Sequence, residues 1–572
     1  MTDFKIESLP FDPKSIAELS FLNSLHRNWP VVYTISNTNE IYVGETLNAA
    51  SRMSQHILSD SKKNLDLLRI FFHEKFNKSA CLDLESQLIK LFAADEKFKV
   101  LNSNAGIVDA NYYDREAYAE QFNTLFELLR SEGWLTRSVP EIVNSNLFKY
   151  SPFKSLNSEQ AQAVSEILDS LIAAKNQSSS SPIVVEGSPG TGKTIVAVYL
   201  MKLIQDVANL SIENLGDTES VFAEYITPEN KALFADYRIG LVIPQQSLRA
   251  TLTKVFSRTP GLHKSMILNP FTVGSSDDRW DLLIVDETHR LGMRAQQPHP
   301  SLNLRFGANN RKLFGSDEDH FTQLDWVKAQ SDAQVLLLDT EQSIKPADLP
   351  RKILDDAIAE SKKDSLYIKL VSQMRVQGGE DYIEFIRRLF TSEPQMNPGF
   401  GNYDLRFFDA FDEMQSEIQK REQEVGLSRL LAGYAWDWVS KKDPNRSDIE
   451  IQGIKLFWNR TDKDWINSPT SAEEVGSIHT IQGYDLNYAG VIIGPDLGYD
   501  SETERLIFNR SSYFDANGKI NNKRLGITYS DDDVLNWVIN IYRVLLTRGI
   551  KGTYVFVHDP ALRARFKHFL VP

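Results

Sequence analysis

IVVEGSPGTGKTIVAVYLMKLI, residues 183–204, is the stretch on which the fold of this chain turns. A short apolar run ends at Glu186, and a helical pattern resumes at Ile195. Between them Gly187, Ser188, Pro189, Gly190, Thr191, Gly192, Lys193 and Thr194 fit G-x-x-x-x-G-K-[ST] without deviation. Strand, glycine-rich loop and helix are the context this motif needs. Backbone N–H groups cradle phosphates, the lysine reaches the β and γ oxygens, and the threonine hydroxyl ligates magnesium. The alternative is an ordinary glycine turn, and the flanking strand and helix weigh against it.

Outward from the loop, apolar runs recur between helical segments: GLVIP, DLLIVDE and QVLLLD, then IKLFW, AGVIIG and TYVFVHD. Runs of this kind read as buried parallel strands with helices on both faces of a sheet, an α/β architecture. WDLLIVDETHR sets Asp286 and Glu287 at the end of one such strand. One acid can hold magnesium and the other can polarise an attacking water. Two acids after a strand are usually a solvated loop, but beside a phosphate loop they make an NTP hydrolysis site.

At 572 residues the chain exceeds one core, and a rule of about 150 residues per domain predicts three or four units. With 42% hydrophobic and 24% charged residues the composition is that of a soluble globular protein. The 63 Lys and Arg against 77 Asp and Glu leave a net charge of -14, which weighs against a passive nucleic-acid coat but leaves room for a local basic track. The single cysteine, Cys81, excludes an intrachain disulfide and a cysteine-based zinc site. No signal pattern opens the sequence and no run approaches a membrane span, so a cytoplasmic protein with no membrane partner is expected.

The first hundred residues read differently. VVYTISNTNEIYVGETLNAASRMSQHI, residues 31–57, predicts strand, turn, strand and helix. CLDLESQLIKLFAAD is strongly helical, KFKVLNSN is one further strand, and a compact α+β unit closes near residue 110. Arg52 and His56, at i and i+4, project from one helix face. A tyrosine or histidine can orient or deprotonate water, an arginine can neutralise transition-state charge, and one carboxylate can hold one Mg²⁺ on a scissile phosphate. Taken singly, each of these residues is better explained by packing or a solvated face.

The motor-like blocks, in order, resemble a superfamily 1 helicase and closely the Schlafen-like DNA/RNA helicases, over roughly residues 150–572. That resemblance implies two RecA-like domains that bind ATP with Mg²⁺. It implies Gln160 in LNSEQAQAV as the adenine reader, and LVIPQQSLRATLTKVF as a nucleic-acid-contacting block. Asp339 and Gln342 of LLLDTEQ become the γ-phosphate sensor, and Arg375 of LVSQMR and Arg548 of YRVLLTRGIKG the two arginine fingers. Gln482 and Gly483 of SIHTIQGYDLNYAGVIIG belong to the block that couples nucleotide to strand binding. Asp485 departs from the pattern, which has Glu there. Arginines supplied from a second domain make hydrolysis depend on domain closure. KLFWNRTDKDW, with Phe457, Trp458, Arg460 and Trp465, reads either as a strand with core tryptophans or as a platform stacking on bases.

Tyr33, Tyr42-Val43-Gly44-Glu45-Thr46, Arg52, His56, Glu85 and Asn102 in turn resemble a GIY-YIG endonuclease domain over roughly residues 28–108. The resemblance implies Tyr33 and Tyr42 as the motif tyrosines, Arg52 and His56 on the first helix, Glu85 as the metal-binding acid, and Asn102 after the third strand. Here VVY stands in place of Gly-Ile-Tyr.

The expected plan is therefore a GIY-YIG-like domain over 1–110, a helical linker over 111–150, and RecA-like domains over 151–345 and 346–572. The expected function is an ATP-dependent translocase or helicase fused to a metal-dependent endonuclease, with nucleic acid as partner, DNA ahead of RNA, and a role in bacterial defence. An oligomer or protein partner is compatible with the sequence. The second reading is an ATP-gated switch whose N-terminal domain binds nucleic acid without cutting it.

Overall fold

The computed structural model describes residues 4–571 apart from 23–24, 103–111, 154–155, 175–180, 210–221, 295–299, 341, 343–345, 374–375, 462–464, 482–483 and 523. The chain gathers into two compact units. One comprises Met1–Ser165, Ile195–Asp236 and Thr251–Lys264, and the other Glu166–Thr194, Tyr237–Ala250 and Ser265–Pro572.

The first unit holds a sheet of β1 (Lys5–Pro10), β2 (Val31–Ser36), β3 (Glu40–Thr46), β4 (Leu67–Phe72) and β5 (Lys99–Val100), in the order β1-β4-β2-β3-β5. All pairs are antiparallel except β3 with β5. Strand alternation sorts the side chains into two cores. Val31, Tyr33, Ile35, Leu68 and Ile70 pack with Ala49 and Met53 of the helix Ala49–His56, whose Asn48 side chain caps it by accepting from Ser51 N–H. Val32, Val43 and Phe71 face the opposite way, onto Leu84, Leu88 and Phe92 of the helix Lys78–Asp95.

The stretch 111–150 reads as a linker, yet its helix Arg115–Ser131 buries Tyr118, Phe122, Leu125, Phe126 and Leu129 in that second core. At roughly 1.5–3 kcal/mol for each large apolar side chain, detaching this face would cost on the order of 10 kcal/mol. The helix is thus part of the N-terminal core.

The second unit contains two parallel sheets. The first joins β6 (Ile183–Gly187), β7 (Ile239–Val242), β8 (Ile267–Leu268), β9 (Trp280–Val285), β10 (Ser331–Leu338) and β11 (Tyr367–Leu370) in the order β11-β6-β10-β9-β7-β8. The edge strand β11 pairs with β6 in the register Leu370 to Gly187. This sheet therefore runs past the boundary at 345 expected from sequence.

After β12 (Asp404–Phe407) and β13 (Ser428–Ala432) comes an antiparallel hairpin of β14 (Ile449–Ile451) and β15 (Ile454–Leu456). The run IKLFW, expected as a parallel strand, supplies β15 instead: only two residues, Gln452 and Gly453, separate it from the end of β14, room for a hairpin but none for a crossover helix. Then follow β16 (Val475–Ser477), β17 (Leu486–Ile493), the hairpin strands β18 (Leu497–Asp500) and β19 (Arg505–Phe508), and β20 (Gly549–Val557). The second parallel sheet has the order β12-β20-β17-β13-β16. Trp458 and Trp465 are fully buried in its cores, so neither can stack on a base. The platform reading of KLFWNRTDKDW fails for both. Among the described residues no helix is long and apolar enough to cross a membrane.

Candidate nucleotide and nuclease sites

In the N-terminal sheet β2 and β3 pair so that Tyr33 lies opposite Gly44. A Cβ at position 44 would stand 2.3 Å from the Tyr33 hydroxyl oxygen and 2.4 Å from Cζ, so the phenol occupies the space that glycine leaves. That is the physical reason for a glycine after Tyr42-Val43. Tyr33, 1% exposed, meets His56 Nε2 at 2.7 Å. The Tyr42 ring stands edge-on to the same imidazole, with centroids 5.2 Å apart.

Burial, with the Lys62 and Arg52 charges beside it, pushes the His56 pKa down to about 2, so the ring is neutral at physiological pH. Burial raises both tyrosines, Tyr33 well above the usual phenol range, and Arg52 is the cation that opposes the rise in each. Arg52 also donates to Gln55 Oε1 at 3.0 Å, within its own helix.

Glu85, 9% exposed on the helix Lys78–Asp95, has its carboxyl pushed up to about 8 by burial and by the nearby charge of Glu45. Glu45 pairs with Lys78 through one oxygen, and its buried Oε2 has no hydrogen-bond partner. A buried acid with a second acid near it and an unsatisfied carboxylate oxygen is a donor set that a divalent cation would fit. Among the described residues there is no group of three or more His, Cys, Asp and Glu arranged to hold a metal. Asn102 accepts from Val43 N–H at 3.0 Å and donates to the Val43 carbonyl at 2.7 Å. Both ends of its amide thus brace the segment Tyr42–Gly44.

In the second unit the C-terminal ends of β6, β10 and β9 lie side by side, where open parallel sheets bind ligands. The loop after β6 takes left-handed turns at Gly190 (φ 89°) and Gly192 (φ 84°), which suit residues without a Cβ. Lys193, 6% exposed, donates to the carbonyls of Gly187 at 2.5 Å and Ser188 at 3.1 Å, while Thr191 Oγ1 donates to Ser188 at 3.0 Å. The ammonium therefore sits at the centre of its own loop. Thr194 Oγ1 donates to Asp286 Oδ2 at 2.7 Å, joining hydroxyl and carboxylate in a pair that suits Mg²⁺. Burial and the Glu287 charge raise the Asp286 carboxyl.

Glu287 follows in a left-handed conformation, φ 52°, which costs a non-glycine residue on the order of 1–3 kcal/mol. Its Oε2 lies 3.0 Å from His289 Nε2 and accepts from Arg290 Nε at 3.1 Å. Against the desolvation that would raise it, these neighbours and Lys193 hold the Glu287 carboxyl well below its usual range. His289 Nδ1 accepts from Asp339 N–H at 3.2 Å, and Gln342 Nε2 donates to Asp339 Oδ2 at 2.6 Å. Glu287, His289, Asp339 and Gln342 thus gather around one buried imidazole, whose Nε2 is near Glu287 without a well-aligned hydrogen bond.

Gln373 donates to the Pro189 carbonyl at 2.6 Å and so touches the phosphate loop. Arg375, Gln482 and Gly483 lie outside the described residues. Arg548, 3% exposed just before β20, donates to the Tyr484 carbonyl at 3.4 Å. Asp485, half-buried, immediately precedes β17. Gln160 accepts from Asn157 N–H at 3.2 Å while its own N–H donates to Asn157 Oδ1 at 2.7 Å, a reciprocal brace on the helix Ser158–Ala174.

Sequence reasoning did not single out Lys62, His289 or Arg290. The last two follow directly on the acidic pair in DETHR, which is a usable signal. Glu45 stands within the tyrosine motif but was given no role there, and nothing in sequence spacing points to Lys62.

Comparison with known proteins bears on the two domains that carry these residues. Residues 180–559 match the family described as Schlafen group 3, DNA/RNA helicase domain, and residues 30–99 match the GIY-YIG catalytic domain. An uncharacterized protein of Saccharomyces cerevisiae is 24% identical over 414 residues, covering 67% of this chain and 83% of the yeast protein. Among solved structures, the helicase nonstructural protein 10 of an arterivirus is 12% identical with a TM-score of 0.29, covering 71% of this chain and 63% of its own. The Pif1 helicase from Bacteroides, solved with ADP-AlF3 and single-stranded DNA, is 10% identical with a TM-score of 0.25, covering 73% and 95%. With scores that low, the ground for the fold remains the strand order and the family match.

Proposed function

The chain belongs to the Schlafen group 3 DNA/RNA helicase family and carries a GIY-YIG domain ahead of it, and from that premise we propose an ATP-driven motor coupled to an endonuclease. The motor hydrolyses ATP with Mg²⁺ and translocates on or remodels nucleic acid. The N-terminal domain cuts phosphodiester bonds, in DNA ahead of RNA, in a cytoplasmic protein that acts against foreign nucleic acid.

The observation that carries this reading is the pairing of Thr194 with Asp286 at 2.7 Å beside a phosphate loop closed around Lys193. In hydrolysis Lys193 neutralises phosphate charge and Glu287 orients the attacking water, while Thr194 and Asp286 would hold a divalent cation that supplies further charge at the phosphates. Gln342 and Asp339 sense the γ-phosphate, Gln160 reads the base, and Gln482, Gly483 and Asp485 couple nucleotide to strand. Arg375 and Arg548 complete the charge when the halves close.

In the nuclease, bound metal on Glu85 would supply Lewis-acid charge at the scissile phosphate. Arg52 adds positive charge, and the tyrosines and His56 govern the proton of the water. Support comes from the Tyr33–Gly44 fit and the Tyr33–His56 contact, which bring Tyr33 and His56 together on one face of the sheet.

Incubation with labelled DNA and RNA, with Mg²⁺ and with or without ATP, tests both halves. Glu85→Ala should abolish cleavage, and Lys193→Ala should abolish hydrolysis while leaving basal cleavage. An absence of cleavage on every substrate would favour the ATP-gated binding switch. If cells carrying the gene restricted phage no better than cells lacking it, the defence role would fall.

A further inference from the structure

Lys62 ends a short 3-10 turn, Asp60–Lys62, that follows the helix Ala49–His56. Backbone bonds fold the turn back on the helix: Ser59 N–H donates to His56 at 3.0 Å, Lys62 N–H to Ser59 at 3.1 Å, and Leu65 N–H to Lys62 at 3.1 Å. Leu65 is buried in the same core as Tyr33, so the turn is anchored on both sides of the lysine. From there Lys62 Nζ reaches His56 Nδ1 at 2.8 Å and lies 3.9 Å from the centre of the Tyr42 ring. One cation thus contacts two of the motif's aromatic residues, and its cation–π contact steadies the Tyr42 ring.

Burial lowers the Lys62 pKa to about 8, which still leaves an ammonium at neutral pH. An ammonium only donates. Nδ1 of the neutral imidazole must therefore accept, and the ring proton must sit on Nε2. Nε2–H then donates to the Tyr33 oxygen 2.7 Å away. With one nitrogen accepting from Lys62 and the other carrying a proton, His56 has no lone pair left for water.

We infer that Lys62 is a positioning residue of the nuclease site: it fixes His56 as a hydrogen-bond donor to Tyr33, which removes His56 as general base. The purpose of this arrangement rests on the nuclease reading; the arrangement itself can be measured without cleavage.

The test uses the full chain labelled with ¹⁵N-histidine, as wild type, Lys62→Met, Lys62→Arg and His56→Gln. Two-bond ¹⁵N–¹H correlations report the ring tautomer, and His26, buried between Leu19 and Glu7, serves as a folding control. Wild-type His56 should show the Nε2–H tautomer, Lys62→Met should lose it with the His26 signal unchanged, and Lys62→Arg should restore it. The kcat of cleavage should fall about 10- to 100-fold in Lys62→Met, the range seen when the group behind a site histidine is removed, with KM little changed and partial recovery in Lys62→Arg. His56→Gln, whose amide can accept from Lys62 and donate to Tyr33 but cannot take a proton at neutral pH, should keep a share of the cleavage that His56→Ala loses. An unchanged tautomer in Lys62→Met overturns the inference, as does a His56→Gln variant no more active than His56→Ala. A tautomer that changes as expected in a protein that cuts nothing upholds the hold of Lys62 on His56 and defeats the nuclease reading instead.

Discussion

Replacing Gly44 by alanine tests the geometry of the nuclease site at a single methyl group. The added carbon would stand 2.3 Å from the Tyr33 oxygen and 2.4 Å from Cζ, roughly 1 Å inside normal contact. Tyr33 cannot swing away freely, because it is buried among Val31, Ile35, Met53 and Ile70 and held to His56. Overpacking of this kind costs about 1–3 kcal/mol. If the ring yields by about 1 Å, the Tyr33–His56 contact breaks, and a displacement of that size costs cleavage about 100-fold. The assay is a double-mutant cycle in chemical denaturation. Gly44→Ala should be costly in the wild type and nearly free in a Tyr33→Ala background, which removes the three atoms nearest the methyl, giving a coupling of about 1 kcal/mol or more. Additive effects, or a Gly44→Ala protein within about 0.5 kcal/mol of wild type, would refute the account of why a glycine stands there.

Other expectations concern the motor. Lys193→Ala should lower ATP hydrolysis by about 10²- to 10³-fold, measured as steady-state phosphate release, because the phosphates lose a buried cation. Arg548→Ala should slow hydrolysis by at least about 10²-fold while fluorescent-nucleotide binding stays within a few-fold, and normal turnover would end the closure-driven mechanism. Asp496 supplies a pH signature. It is fully buried, accepts from the Tyr542 hydroxyl at 2.5 Å, and its carboxyl is raised from 3.8 to about 7 chiefly by desolvation. Between those values the unfolded chain has released a proton that the folded chain keeps, so this group's contribution to stability is full below about pH 4 and is lost as pH rises through about 7. At about 1.4 kcal/mol per pH unit the loss is on the order of 4 kcal/mol. Asp496→Asn should remove that slope from the denaturation midpoint plotted against pH, and an unchanged slope would assign it to other groups.

How much of this was legible beforehand follows from the range of each interaction. Phosphate loop, acidic pair and parallel strands were readable because each is local: a loop and its own strand and helix lie within twenty-two residues, 183–204. The tyrosines, Arg52 and His56 were readable for the same reason, since strand and helix periods fix which side chains share a face. Lys62 was not, because its role depends on a turn folding back onto the preceding helix. The Asp339–His289–Glu287 chain was not, because β10 and β9 are neighbours only by sheet order. Trp458 and Trp465 stayed open between core and stacking surface because an aromatic run looks alike in a core and on a groove; burial decides for the core.

The sequence alone determined that the chain has a nucleotide site, an α/β motor and a small α+β domain with a tyrosine pair. Tertiary structure decided that β11 completes the first sheet, that the helix Arg115–Ser131 belongs to the N-terminal core, that Gly44 is the seat of the Tyr33 ring, and that His56 faces Lys62 on one side and Tyr33 on the other. The physical reason is one of reach. Backbone periodicity and loop chemistry are written into neighbouring residues, whereas a proton's position on an imidazole depends on groups that only folding brings within 3 Å of it.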